Sequence, residues 1–239
     1  LSNASGANSV AFGSYATFGL PIYIGNTASG ESSVSMGVGT TATSVMASAV
    51  GVGNEARAQY ASAFGYANEV HGNNGTAIGW YNRIGTLGAD PTTLSNSVAM
   101  GFNNQVNAAN ATAVGRSNVA NGSTSSALGT NNTANGLRSV AMGNRTIADG
   151  MNAVAVGGWV DLDADGVVDA NERTHAVANN SAAFGVGSQA LNEGSLALGY
   201  QAIADRDYAI SVGRSGGEHQ IIHLAAGTAD TDAVNVAQL

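Results

Sequence analysis

The 239-residue sequence predicts an all-β fold, a parallel β-roll in which 14-residue coils stack as a solenoid. Three observations carry that prediction. Thirteen glycines stand on one ruler: Gly13, Gly37, Gly51, Gly65, Gly79, Gly101, Gly115, Gly129, Gly143, Gly157, Gly185, Gly199 and Gly213, with nine of the twelve gaps at 14 residues and the others at 24, 22 and 28. Each glycine closes a small-apolar tetrad such as Ser9-Val10-Ala11-Phe12. Five residues after it comes a second apolar position: Phe18, Ala42, Ala56, Val70, Ile84, Val106, Ala120 and onward.

The tetrad reads as a short strand. The residue before the glycine is always apolar (Phe12, Met36, Phe64, Met100, Leu128), and two before it stands Ala in eleven repeats and Ser in two. Period-2 alternation of this kind gives one face of large apolar residues and one of tiny ones. The tiny face lies against something too close for a longer side chain. Between the tetrad and the second apolar position lie turn formers such as Asn103-Asn104 and Asn131-Asn132, so each unit reads as strand, turn, strand, turn. A coil that thin cannot bury its own apolar face, and coils must stack as parallel strands about 4.8 Å apart, giving a rod roughly 60 Å long. Its core of Ala facing Ala is marginal for an isolated chain, and the row of Phe, Met, Ile, Leu and Val exceeds what one slim roll needs. Self-association through that row is the expectation.

Composition narrows the function. Only 10% of residues are charged, against roughly 25% in an average domain. A net charge of −8, with eight Arg and no Lys, opposes a nucleic-acid partner. Without cysteine there are neither disulfides nor thiolate metal sites. No apolar run approaches the roughly 18–20 residues of a spanning helix, and no signal peptide opens the chain, so any leader or membrane anchor is expected outside this fragment.

The long gaps mark interruptions, where individual function tends to sit. The first, near residues 18–30, carries Leu20-Pro21-Ile22-Tyr23-Ile24 and reads as a hairpin that packs back over the open end of the roll, with an apolar contact surface as the alternative. The second, near 85–95, reads as a protruding turn around Asp90-Pro91, with Trp80 and Tyr81 just before it either as ligand contacts or as cover for the next coil.

The third, near 158–178, is the sharpest. Asp161, Asp163, Asp165, Gly166, Asp169 and Glu172 fit a twelve-residue calcium-loop template, with acids at positions 1, 3, 5, 9 and 12 and Gly at 6. Ca²⁺ takes six to eight oxygens, which Asp161, Asp163, Asp165, the Val167 carbonyl, Asp169 and a bidentate Glu172 supply. Five of the sixteen acids of the chain lie here, and without a cation their repulsion holds the loop open. The strand-like Gly157-Gly158-Trp159-Val160 replaces the entering helix of a paired calcium motif, while a helix is expected over about 169–177. The alternatives are an acidic solvated loop and a degenerate repeat.

Past Gly213 the pattern changes. Asp232 suits a helix N-cap, and Val234, Ala237 and Leu239 are spaced as a helical seam. The run His223-Leu224-Ala225-Ala226-Gly227-Thr228, followed by Asp232-Ala233-Val234-Asn235-Val236-Ala237-Gln238-Leu239, resembles the neck of trimeric autotransporter adhesins, and units such as Asn8-Ser9-Val10-Ala11-Phe12-Gly13-Ser14 resemble their YadA-like head repeats. Head before neck is also the order of that family. The resemblance implies a left-handed roll over 1–214, three chains side by side, and a neck over 215–239 in which His223, Asp232, Val234, Asn235, Gln238 and Leu239 feed the chains into a helical coiled-coil stalk. It further implies a non-enzymatic head on a Gram-negative surface, attaching to extracellular matrix, a cell-surface receptor or other bacteria, as in virulence or biofilm growth. In some such heads the Asn-Ser-Val-Ala-x-Gly-Ser unit is associated with collagen binding; only Asn8–Ser14 keeps it whole, the last Ser being replaced at Phe102, Arg116, Thr130 and Asn144.

Other patterns weigh less. Gly213-Arg214-Ser215-Gly216-Gly217 spells a hydrolase nucleophile elbow, but its first glycine is a ruler position and no helix is expected after it. The Gly-Val-Gly runs at Gly37, Gly51 and Gly185 imitate a dinucleotide fingerprint, yet they recur in phase with the repeat and read as turns. The four His show no metal-ligand spacing among themselves. A β-helix acyltransferase needs coils of about 18 residues, and an ice-binding spacer needs a flat ladder of outward Thr; a structural spacer in a surface fibre remains the alternative to an adhesin.

Overall fold

The structure is a computed structural model that describes residues 2–14, 16–17 and 23–239. Two 13-stranded sheets, all parallel, run the length of the molecule. One is built from five-residue strands such as Thr112–Arg116, shortening toward the C-terminus to Ile210–Ser211; the other is built from two-residue strands such as Val119–Ala120. Each coil contributes one strand to each sheet, and register partners stand one repeat apart: Gly101 on Gly115, Gly115 on Gly129, Val106 on Ala120. The solenoid read from the glycine ruler is the observed fold.

The core between the sheets is alanine. Ala113 from the long strand and Ala120 from the short one are fully buried, as are their equivalents in almost every coil. Where larger residues enter, they stack together, as Val70, Ile84 and Val106 do. The ruler glycines have φ between +115° and +136° at most positions, and a Cβ on Gly115 would run into the carbonyl oxygen of Gly129 in the next coil. Only glycine tolerates both conditions. Two further positions per coil turn through left-handed backbone, for example Ser117 (φ +54°) and Thr124 (φ +58°). These corners fold a flat strand pair into a closed coil.

A second internal ladder accompanies the alanines. Asn54, Asn68, Asn82, Asn104, Asn118 and Asn132 are all fully buried, each three residues after a ruler glycine. Asn118 Nδ2 lies within hydrogen-bonding distance of Asn104 Oδ1 (3.0 Å), the Val114 carbonyl (3.0 Å) and the Gly129 carbonyl (2.8 Å), its two hydrogens shared among three acceptors that tie three coils together. Thr40 and Thr146 take the same place at the ends of the run and donate to Asn26 and Asn132. Buried amides are thereby satisfied at the corners, where the sheets give the backbone no partner.

The interruptions leave this frame intact. The first forms an antiparallel hairpin between Ala16–Thr17 and Tyr23–Ile24; its expected packing over the open end falls on residues outside those described. The second forms a 3-10 helix over Pro91–Leu94, capped by Asp90, whose carboxylate accepts from the Thr92 N–H (2.9 Å) and hydroxyl (2.7 Å). Leu94 turns inward and is buried against Gly72 and Gly85. No helix among the described residues is long and apolar enough to cross a membrane.

Candidate functional site

Strand alternation puts the alanines inside and the residue before each ruler glycine outside. Phe12, Met36, Phe64, Ile78, Met100, Met142, Phe184 and Leu198 stand along one outward face, each between 37% and 69% exposed. A continuous row of large apolar side chains on the surface of a single chain marks a contact surface.

An aromatic cluster flanks this row in three successive coils. Tyr66, Trp80 and Phe102 are register partners at the ends of their strands. Trp80 meets Tyr66 and Phe102 edge-on at centroid distances of 5.5 and 5.8 Å and stacks on Tyr81 at 6.0 Å and 17°. Trp80 and Tyr81 are both about half exposed, and Trp80 covers part of the neighbouring coils through Tyr66 and Phe102.

The third interruption leaves the roll as a finger whose base is closed by an antiparallel bridge between Trp159 and Arg173. The Arg145 guanidinium lies 5.2 Å over the Trp159 ring. Arg173 donates to the carbonyls of Val168 (2.7 Å) and Asp169 (3.1 Å), pinning the returning limb. Asp161, Asp163 and Asp165 converge, each offering a carboxylate oxygen within 4.8 Å of the others. The Gly166 N–H donates to Asp161 Oδ2 (3.1 Å) and the Val167 N–H to Asp165 Oδ1 (2.7 Å), while Asp161 Oδ1 is shielded from solvent without a partner. Gly166 makes the sharp turn at φ +76°.

Asp169 and Glu172 lie outside that group of three. Glu172 is buried, and its two oxygens accept from the N–H groups of Leu162 (2.7 Å) and Asp169 (2.9 Å). It thus draws the two limbs of the loop together. The Val167 carbonyl belongs to the exposed tip. The helix expected over 169–177 does not form: His175–Ala176 is a short strand paired with Ile147–Ala148 and Gln189–Ala190, and continuity of the ladder overrides local helix propensity.

Beside the finger, His175 Nε2 and Asp149 Oδ2 are 2.6 Å apart, on neighbouring coils. Asn135 Nδ2 donates to the other Asp149 oxygen at 2.6 Å. The His175 hydrogen bond is the main cause holding the Asp149 carboxyl below its ordinary range, partial burial opposing it.

After the last coil the chain is largely exposed. Asp232 does not cap a helix; its carboxylate accepts from the N–H groups of Thr228 (2.9 Å) and Ala229 (3.0 Å) and closes a local turn. Gln238 clasps Gly227, accepting from its N–H (2.8 Å) and donating to its carbonyl (3.0 Å), and Asn235 Nδ2 donates to the Leu224 carbonyl (3.0 Å). The helical start is a single 3-10 turn, Val236–Gln238. His223 sits at φ +60°, and Val234 and Leu239 are exposed. The elbow-like Gly213–Gly217 segment is a tight turn in which Arg214 and Gly217 exchange backbone hydrogen bonds, with no helix following. Ser215 and His219 line one cleft there, and no hydrogen bond joins them.

With this geometry in hand, the similarities to known proteins are specific. The family described as the YadA head domain repeat (2 copies) matches residues 1–16, 56–82, 95–118, 120–146, 134–158, 176–202 and 190–215, more than half the chain. The family described as the coiled stalk of trimeric autotransporter adhesin matches residues 220–239. Among solved structures, the collagen-binding domain of the Yersinia adhesin YadA is 23% identical, with 97% of this chain and 94% of that one covered and a TM-score of 0.38. No curated protein matches.

Proposed function

The chain belongs to the YadA-like trimeric autotransporter adhesins, head repeats first and stalk after, and from that premise we propose that it acts as a non-enzymatic, ligand-presenting head on a Gram-negative outer surface. The single observation that carries the proposal is the outward apolar row from Phe12 to Leu198, too large to leave to water and repeated in phase with the coils. Three copies that pack these rows together bury them and leave the opposite sheet of each chain facing outward. The head then offers three equivalent surfaces to an extracellular matrix protein, a cell-surface receptor or another bacterium, with avidity compensating modest affinity per chain. The test is retention of the purified chain on immobilised matrix proteins and on whole cells; failure on both contradicts the adhesin reading.

We also propose that the finger holds Ca²⁺. The convergence of Asp161, Asp163 and Asp165 and the unpartnered, shielded Asp161 Oδ1 support this, because a hard cation draws on such oxygens. Asp169, Glu172 and the Val167 carbonyl complete the set by turning toward the ion, Glu172 exchanging its present N–H partners for it. The metal's role is to stiffen the projection.

A further inference from the structure

We propose that a cleft on the short-strand side of the roll, between Glu69 and Gln105, is a binding site for an uncharged sugar. This deepens the adhesin reading above and rests on it.

The cleft has a volume of about 170 Å³ and spans three coils. Glu69, Arg83 and Gln105 are successive register partners in the short-strand sheet, and their inward neighbours Val70, Ile84 and Val106 are fully buried. Alternation therefore turns the three polar side chains outward, into the cleft. Asn103 and Tyr81 line its other side at the corner of the coil. The outward faces of the two sheets point in opposite directions, so a trimer closed through the Phe12–Leu198 row leaves this cleft open.

Three features give the ligand its chemistry. Arg83 Nη2 donates to Gln105 Oε1 at 3.3 Å, but its Nε is shielded from water and has no partner. A shielded donor without an acceptor is costly, and turning the Arg83 side chain toward a ligand oxygen in the cleft removes that cost. Tyr81, half exposed and held in place by Trp80 stacked on it from outside the cleft, supplies a flat apolar wall of the kind on which the C–H face of a pyranose ring rests. Around that wall stand two side-chain amides, one carboxylate and one guanidinium, which together donate to and accept from ring hydroxyls. Glu69 balances Arg83, so the cleft carries no net charge to attract an ionised ligand and favours a neutral hexose or N-acetylhexosamine.

The test is an array of defined oligosaccharides ending in neutral hexoses or N-acetylhexosamines, beside sialylated and sulfated ones, probed with the full chain. Two variants borrow residues that other coils carry at the same positions: Tyr81→Asn follows Asn103 and Asn131, and Arg83→Thr follows Thr133. Both keep the repeat pattern, and a melting temperature at the wild-type value establishes that they fold. The expected result is retention on neutral glycans that falls at least tenfold in each variant. Retention on charged glycans alone, on none, or unchanged in the variants overturns the proposal. Whole cells separate this failure from that of the adhesin reading. Attachment that survives periodate oxidation of cell-surface sugars overturns the sugar site and leaves the adhesin standing, whereas absence of attachment both to untreated cells and to immobilised matrix proteins removes both.

Discussion

Asn132 donates both its backbone N–H (3.0 Å) and its side-chain Nδ2 (2.9 Å) to Oδ1 of Asn118, one coil back. This pair is one rung of a buried amide ladder that fastens each corner of the roll to the next. Replacing Asn118 by Leu strands the buried Asn132 N–H and takes a donor from the part-buried carbonyls of Val114 and Gly129. The expected loss is about 3 kcal/mol or more, read from the midpoint of denaturant unfolding. Asn118→Thr, matching Thr40 and Thr146, is expected to cost about half as much, because a hydroxyl keeps part of the bonding.

The ruler glycine is the least replaceable residue of the coil. Gly115→Ala combines φ +119° with a clash against the Gly129 carbonyl, which cannot withdraw without breaking the sheet. Destabilisation of about 3 kcal/mol or more is expected. Thr124 (φ +58°) provides the opposite case, since Thr is strained in left-handed backbone. Thr124→Gly is expected to raise stability by about 1 kcal/mol, which calorimetric melting of the two variants side by side resolves.

Acid should loosen the coils around Asp149. Its carboxyl is held below the ordinary range chiefly by the hydrogen bond to His175, so the stability it adds is present above the unfolded-state value, about 3.9, and fades as pH falls through the lower folded value. The pair is partly exposed and screened by solvent, which limits the effect to under about 1 kcal/mol, roughly 2–4 °C in melting temperature. Wild type should therefore lose more melting temperature than Asp149→Asn between pH 5 and pH 3. Equal losses contradict the assignment.

Calcium should be visible as heat and as stability. Titration with millimolar Ca²⁺ is expected to give saturable binding, and a melting temperature that rises with Ca²⁺ and falls with chelator. Asp163→Asn and Asp165→Asn, which leave the roll untouched, are expected to remove both responses. A flat titration of the wild-type chain overturns the calcium reading.

The coils were legible because a fixed-period glycine has few physical explanations, and Ala113 and Ala120 declared the thin core by being small wherever the repeat returned. The amide ladder was not. Asn103 and Asn104 look alike in sequence and read equally as turn formers, yet the first is exposed at φ +54° and the second fully buried. The signal lay in the column rather than the coil: three residues after the glycine stand Thr40, Asn54, Asn68, Asn82, Asn104, Asn118, Asn132 and Thr146, while the preceding position varies from Gly53 to Tyr81 and Arg145. The helix expected after the acidic loop failed for a similar reason, since His175 and Ala176 must rejoin the ladder. Arg83 and Gln105 form no local pattern, being 22 residues apart and meeting only through the stacking of coils.

The mass of the assembled chain tests the central claim most directly. Light scattering on the eluting peak of the 239-residue chain should report three times the 23.7 kDa chain mass, and Met100→Glu, which places charge in the apolar row, should lower that mass. A wild-type peak at 23.7 kDa, with the outward row left open to water, contradicts the account.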